Sequence, residues 1–428
     1  MGEKTMLKLI VIIAALVGGL YPLFLSAVSI ASAKRPTPRN VRDVYDEETY
    51  EKWKKYNKEH EKLKIVSGAI TCAITVILLL TNAHAAFASL FPYTWYGQVG
   101  SVILLECIIS SIVGVVTRYV STMKIEEKYG FNRSSKKTFI FDQIATLIAE
   151  FLITFAFADL IGTLYEDFGV WMIPIFAIVG LVFSLVGAFI SPLAMRVKNQ
   201  FTTLEDGELK TKLTALLDKY GYKIKAIKVM NASKRTTKPN AYFTGIGKMK
   251  TIVLYDNMLN TTSTEEICAV FAHEMGHGLH RDMLRVPVLN MLNFLLMGAM
   301  AFAIAENLTI YADFGFIYGV SPDGVIEVTV NHGFTFVILA IGLSVLRPLT
   351  GLIMNAFSRR AEYRADRQAV IEGYGEAMIS ALKKLSRDNF SHLSPSFINV
   401  LFEYSHPPLN RRIKNVERLM RRMNKRGK

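Results

Sequence analysis

His273 and His277 flank Glu274, Met275 and Gly276 in the stretch Phe271-Ala-His-Glu-Met-Gly-His-Gly-Leu-His280, which spells H-E-x-x-H. On a helix the two imidazoles fall one turn apart and share a face. Two histidines presented that way can hold one zinc ion at Zn–N distances of roughly 2.0–2.1 Å, and the adjacent Glu274 is close enough to take a proton from a water held there. The chemistry in outline is metal-assisted hydrolysis, and it needs a third protein ligand. The metzincin pattern would put a His six residues after His277, but that position is Met283, which excludes the class. His280, one turn past His277, would crowd a tetrahedral ion from the same helix and reads as a surface residue or a donor behind the ligands. Far downstream, Ser358-Arg-Arg-Ala-Glu-Tyr-Arg-Ala-Asp366 sets two carboxylates one turn apart. There Glu362 can reach the metal, while Asp366 can accept a ring N–H from a ligand His and fix its tautomer. E-x-x-x-D alone is usually a solvated acidic face, and only the H-E-x-x-H helix upstream makes it specific.

That helix has a defined start, since Ser263-Thr-Glu-Glu266 is a capping box ahead of the apolar run Ile267 to Ala272. Before it, residues 204–217 have helical spacing and Ile227-Lys-Val-Met230 alternates like a strand. Two strand-like runs, Pro239 to Gly245 and Lys250 to Asp256, then predict a hairpin. Its first arm, with Asn240, Ala241 and Tyr242, suits an edge strand on which an extended peptide adds through main-chain hydrogen bonds, and equally an ordinary small-sheet hairpin.

The whole is carried on a very apolar chain. Its 428 residues are 51% hydrophobic and 20% charged, with mean hydropathy +0.27, which excludes an ordinary soluble protein. Apolar runs at 7–33, 65–92, 99–119, 143–164, 171–195, 284–306 and 333–357 each approach the roughly 20 residues that cross a bilayer. The first ends in a stretch resembling a signal-peptide cleavage site but is much longer than a signal h-region of roughly 7–15 residues, so it reads as a span. The expected fold is mainly α, a polytopic membrane protein of about seven transmembrane helices plus a small mixed α/β zinc-protease domain. Its expected divisions are 1–196 with five spans, 197–283 with H-E-x-x-H, 284–357 with two spans, and 358–428 with the third ligand.

The net charge of +14 comes without a zinc finger, a phosphate loop or an aromatic-basic repeat, and so argues against nucleic acid as a partner. It follows the loops instead: 34–64, 120–142, 196–283 and 358–428 are basic, whereas 92–98, 162–169 and 307–332 hold no Lys or Arg. That alternation puts the N-terminus outside and the H-E-x-x-H segment and C-terminus in the cytoplasm, with Lys4 and Lys8 the one dissent. His84, Glu106, Glu150, Asp159 and Arg347 lie within apolar runs, where facing lipid would cost each roughly 2.5–3.5 kcal/mol, so they are expected to face partners, an interior or water. Cys72, Cys107 and Cys268 read as small core residues, neither disulfides nor ligands.

The chain resembles the type I CAAX prenyl endopeptidase family, the membrane zinc metalloproteases of a-factor-converting and prelamin-processing type. The resemblance rests on Ile125-Glu-Glu-Lys-Tyr-Gly-Phe-Asn132, Leu204-Glu-Asp-Gly-Glu-Leu209, Ser233-Lys-Arg235, Asn240-Ala-Tyr-Phe243, Ile252-Val-Leu-Tyr-Asp256, the H-E-x-x-H segment, Ser358 to Asp366, and Ser405-His-Pro-Pro-Leu-Asn-Arg-Arg412. It implies a gluzincin-like site with one zinc per chain on His273, His277 and Glu362, and Glu274 as general base. It also implies a water-filled chamber walled by the spans, substrate pairing along Asn240, Ala241 and Tyr242, and His406 and Arg412 near the site to steady the oxyanion. Taken alone, Ser405-His-Pro-Pro would read as a helix-entry turn. The family commonly has Trp-Lys where Gly278-Leu279 stands here, and residues 307–332 form a short acidic connection; both bear on substrate range and leave room for a prokaryotic member with no prenylated substrate. The expected partners are a peptide or protein substrate, prenylated if the resemblance extends that far, and membrane lipid, around a monomer in a prokaryotic cell membrane or the endoplasmic reticulum. Two other readings stay open, a membrane quality-control protease of the heat-shock HtpX type, and a transporter or non-enzymatic membrane protein whose H-E-x-x-H is accidental.

Overall fold

The computed structural model describes residues 2–221, 226–244, 251–320 and 326–426. Its membrane half runs through α1 (Gly2–Ser32), α2 (Glu47–Leu80), the short α3 (Ala83–Ala88), α4 (Trp95–Val120), α5 (Lys136–Phe168) and α6 (Met172–Lys198). Then come β1 (Phe201–Thr203), α7 (Glu208–Lys219), β2 (Ala226–Met230), β3 (Ala241–Thr244), β4 (Thr251–Tyr255), α8 (Asp256–Thr261) and α9 (Thr264–Leu279). The rest is α10 (Asp282–Ala305), α11 (Leu308–Asp313), β5 (Ile317–Val320), β6 (Ile326–Val328), α12 (His332–Ile371), α13 (Gly375–Asp388), α14 (Phe397–Phe402) and α15 (Leu409–Arg426).

Among the described residues six helical stretches are long and apolar enough to cross a bilayer, and one of them, Lys136–Gly187, is 52 residues long. At 1.5 Å per residue that would be about 78 Å, far beyond a hydrocarbon core of about 30 Å. The chain breaks at Gly169, which takes φ 52, so the stretch is α5 followed by α6, and each of the seven apolar runs has its own long helix, the second run continuing into the short α3. Leu152, Phe183 and Leu292 on α5, α6 and α10 are each more than half exposed, as side chains facing lipid should be.

Two runs fold differently from their pattern. The apolar stretch 65–92 ends its helix at Leu80, because Asn82 adopts the left-handed conformation and starts the separate turn α3. From Glu47 onward the basic segment before it is the first half of the same 34-residue α2, so no loop divides it from the span. Four of the five ionisable residues within the apolar runs have partners: His84 Nε2 is 2.6 Å from Glu106 Oε1, Trp95 Nε1 donates to Asp159 Oδ1 at 2.6 Å, and Ser110 Oγ donates to Glu150 Oε1 at 3.2 Å. All three cysteines are free, Cys72 and Cys268 buried and Cys107 partly so.

Outside the bundle, four strands order as β1-β2-β4-β3, with β2 parallel to β4 and the outer pairs antiparallel. The expected hairpin is there in the pairing Ala241↔Leu254 to Thr244↔Thr251, its turn lying outside the described residues. This leaves β3 at the edge. The loop entering β3 is tied to the membrane half. Arg235 Nη1 pairs with Asp142 at 2.5 Å, and Lys238 Nζ pairs with Glu126 at 2.9 Å. Glu126 closes a π-helical turn, Ser121–Glu126, and also accepts from Tyr56 Oη at 2.6 Å. Sheet, α7, α9 and α13 enclose a core that includes Leu213, Ile252, Leu254 and Phe271, all fully buried.

Candidate metal centre

The helix α9 begins at Ser263, whose Oγ accepts from Glu266 N–H while Glu266 Oε2 accepts from Ser263 N–H, so the capping box closes both ways. Glu266 also accepts from Ser380 Oγ at 2.6 Å and from Lys384 Nζ at 3.3 Å, which pins the start of α9 to α13. From Ile267 to Phe271 the helix is buried on every side. Its last turns pack on α12, and Gly276 is where they touch: a Cβ there would stand 3.0 Å from the Ala365 Cα. The 40-residue α12 spans about 60 Å, enough to cross the bilayer and continue unbroken into this contact. The carboxylates of Glu362 and Asp366 therefore sit on the projecting end of a membrane helix.

That packing gathers the three candidate ligands. His277 Nε2 is 3.3 Å from Glu362 Oε1, His273 Nε2 is 3.7 Å from Glu362 Oε2, and one donor atom from each of the three lies within 4.8 Å of the others. Ligand atoms about 2.1 Å from a tetrahedral ion stand about 3.4 Å apart, so the spacing fits one ion. His273 and Glu362 are buried, and Glu362 Oε2 accepts no hydrogen bond although Arg412 Nη1 is 3.3 Å away. A buried carboxylate oxygen left in that state is what a cation would satisfy. Two imidazoles and one carboxylate also match the donor set of catalytic zinc sites, which keep a fourth position open.

Both rings are oriented from behind. Asp366 Oδ1 lies 3.0 Å from His273 Nδ1, and Asp366 itself receives a fork from Arg412, Nε at 3.0 Å and Nη2 at 2.6 Å. Asp282 Oδ2 lies 3.0 Å from His277 Nδ1, and Asp282 Oδ1 accepts from Arg364 Nη2 at 2.7 Å. In the neutral form of each ring the carboxylate accepts the Nδ1–H, which turns the Nε2 lone pair towards Glu362. Burial would lower the pKa of His277, but its bonds to Asp282 and Glu362 raise it to about 10. Burial likewise would lower that of Arg412, and the charges of Asp366 and Glu362 reverse the effect and hold it cationic.

Glu274 and His406 fall at the same point. Glu274 is half-buried, and its charge bears on both His277 and Arg412. His406 Nε2 is 3.3 Å from Glu362 Oε1 with its side chain 64% exposed. A cavity of about 330 Å³ opens beside it, lined by Ser29, Asn57, Glu61, Lys64, Glu403 and His406 among others. Strand β3, with Ala241 and Tyr242, packs against α9, while Asn240 just before it is exposed and its Oδ1 accepts from Ala241 N–H at 2.9 Å. His280 is the C-cap of α9, outside the three-ligand group. Asp282 and Arg364 were not legible in the sequence. The only signal is an acidic residue five positions after His277, and it matters only because Arg281, a non-glycine residue at φ 56, turns the chain back there.

Residues 203–420 match peptidase family M48, and residues 27–196 match a region described as CAAX prenyl protease N-terminal, five membrane helices. The chain is 29% identical over 407 residues to CAAX prenyl protease 1 of Saccharomyces cerevisiae, covering 88% of this chain and 87% of the relative. It is 25% identical over 434 residues to the CAAX prenyl protease 1 homolog of Homo sapiens, covering 89% and 88%. The crystal structure of S. mikatae Ste24p is similar with a TM-score of 0.85 at 28% identity, over 96% of this chain and 99% of that one. Because the first of these matches takes in more than half of the chain, and with it every residue from His273 to Arg412, the chain belongs to peptidase family M48 and is a membrane metalloendopeptidase.

Proposed function

We propose that the enzyme holds one zinc ion on His273, His277 and Glu362 and cleaves prenylated CAAX-type C-termini, the substrate class in the names of its relatives. The observation that carries the zinc site is the spacing of the three donors around a buried, unsatisfied Glu362 oxygen. The substrate class is supported by relatives that match across both the membrane half and the protease half. When bound, zinc lowers the pKa of a coordinated water and polarises the scissile carbonyl. Glu274 takes the proton and returns it to the leaving amine. The edge of β3, with Asn240, Ala241 and Tyr242, receives the substrate main chain in extended form and aligns it. His406, exposed at the mouth of the site, donates to the developing oxyanion. Arg412 has its fork on Asp366, so it acts from behind Glu362, adding positive charge and holding both carboxylates in place.

The substrate class is tested with matched peptides that differ only in the prenyl group. The prenylated one is expected to be cut with the higher kcat/KM, and equal values would remove the CAAX reading while leaving an endopeptidase.

The same reading treats 197–283 and 358–428 as one cytoplasmic unit carried by the spans at 1–196 and 284–357, in a monomer whose spans wall a chamber above the site. Its support is the basic content of those two segments, against a 307–332 connection without Lys or Arg. In a glycosylating membrane only the sequon at Asn307, at the start of α11, is expected to carry a glycan, while Asn132, Asn231, Asn260 and Asn389 stay bare. A glycan at Asn231, read as an endoglycosidase-sensitive mass shift, would reverse the orientation.

A further inference from the structure

The site contains the same device twice. His273 leads to Asp366 and then to Arg412; His277 leads to Asp282 and then to Arg364. In the first relay the Asp lies on α12 and the Arg on α15. In the second the Asp is the first residue of α10 and the Arg lies on α12, two residues after Glu362. We propose that Asp282 and Arg364 are positioning residues that set the affinity of the metal site, an inference that rests on the zinc reading above.

Asp282 is placed by a backbone that L residues rarely adopt, Arg281 at φ 56 and ψ 35, directly after the C-cap of the H-E-x-x-H helix. Such a conformation is strained for a non-glycine residue and persists only where its surroundings enforce it. Its effect here is to bring a carboxylate, with its side chain only 13% exposed, 3.0 Å from His277 Nδ1. The bond from Nδ1–H to Asp282 holds Nε2 towards Glu362, ready to ligate once the ring is neutral, and removes beforehand a rotational freedom that the ring would otherwise lose on binding an ion. Arg364 then fixes Asp282 against α12, the helix that carries Glu362. The ring on α9 and the carboxylate on α12 are thus set relative to each other through protein contacts, so the site is preorganised before any ion arrives. Arg285, whose Nη1 is 4.0 Å from Asp282 Oδ1 and whose side chain is 58% exposed, is too distant and too solvated to replace Arg364.

The test uses the full-length purified protein and measures zinc affinity by competition with a chelator of known strength. Asp282→Ala is expected to weaken zinc about 10–100-fold, the range for removing a carboxylate behind a ligand histidine. Asp282→Asn, whose side-chain oxygen can still accept the Nδ1 proton, is expected to recover part of the loss. The visible spectrum of the cobalt-substituted protein should shift in Asp282→Ala and return towards wild type in Asp282→Asn. Arg364→Met tests the same relay without touching the group next to His277, and a smaller weakening is expected; it also serves if Asp282→Ala does not fold. Wild-type zinc affinity and an unshifted cobalt spectrum in the folded variants would overturn the relay. Wild type and His273→Ala run alongside: if wild type itself holds no zinc, the zinc reading fails, whereas zinc retained by wild type, lost in His273→Ala and unchanged in the relay variants, condemns the relay alone.

Discussion

Glu274→Gln is expected to leave the metal bound and to reduce cleavage by about 10²–10⁴-fold, the usual contribution of a positioned general base. The substitution keeps the side chain's length and shape and removes only its basicity. None of the three donor atoms belongs to Glu274, and both rings are oriented by Asp366 and Asp282 on other elements. Metal content by elemental analysis should therefore equal that of wild type. Because α9 is capped at Ser263 and buried through its middle by residues that the change does not touch, its thermal transition should also be unmoved. A variant that keeps wild-type turnover on a fluorogenic peptide would show that another group takes the proton. Loss of activity together with loss of metal would instead give Glu274 a structural role.

Those expectations show which parts of the site a sequence can carry. His273, Glu274 and His277 are one local pattern, and local patterns survive any ignorance of tertiary structure. Glu362 and Asp366 lie some 85–95 residues downstream across two spans, yet they are legible because a helix repeats its own spacing. The bundle was legible too, since lipid demands long apolar runs whatever their packing. The boundaries were less so: the run at 65–92 hides the left-handed Asn82, and the unbroken passage of α12 from span to ligand is invisible to hydropathy, because its last turns, from Arg359 to Gln368, are strongly polar. Asp282, Arg364 and the anchoring of the β3 loop through Lys238 and Glu126 depend on chain reversals and contacts between distant elements. Arg412 came into view only through a family resemblance, and its fork on Asp366 is a fact of packing between α12 and α15 that no periodicity encodes.

Removing the metal should abolish cleavage, with zinc restoring it, and should loosen the contact between α9 and α12, which an ion held on His273, His277 and Glu362 would join. An ion at 100 times its dissociation constant stabilises the fold that binds it by about 2.7 kcal/mol, so the chelated protein should unfold at a lower temperature. The pH dependence of this gap has a definite sign. In the metal-free fold His277 is raised to about 10, because bonds to Asp282 and Glu362 outweigh the lowering by burial. The stabilisation it gives the metal-free fold is fully present below its ordinary value of about 6.5 and fades as pH rises towards 10. Metal needs the neutral ring, so its affinity moves the other way and rises over the same interval. The difference in melting temperature between zinc-loaded and chelated protein should therefore widen as pH is raised above 6.5, and zinc binding near neutral pH should release about one proton from His277. Calorimetry in two buffers of different ionisation enthalpy measures that release. A gap that narrowed with rising pH, or binding without proton release, would mean that His277 is already neutral in the metal-free site and that its contacts with Asp282 and Glu362 do not hold it as the imidazolium.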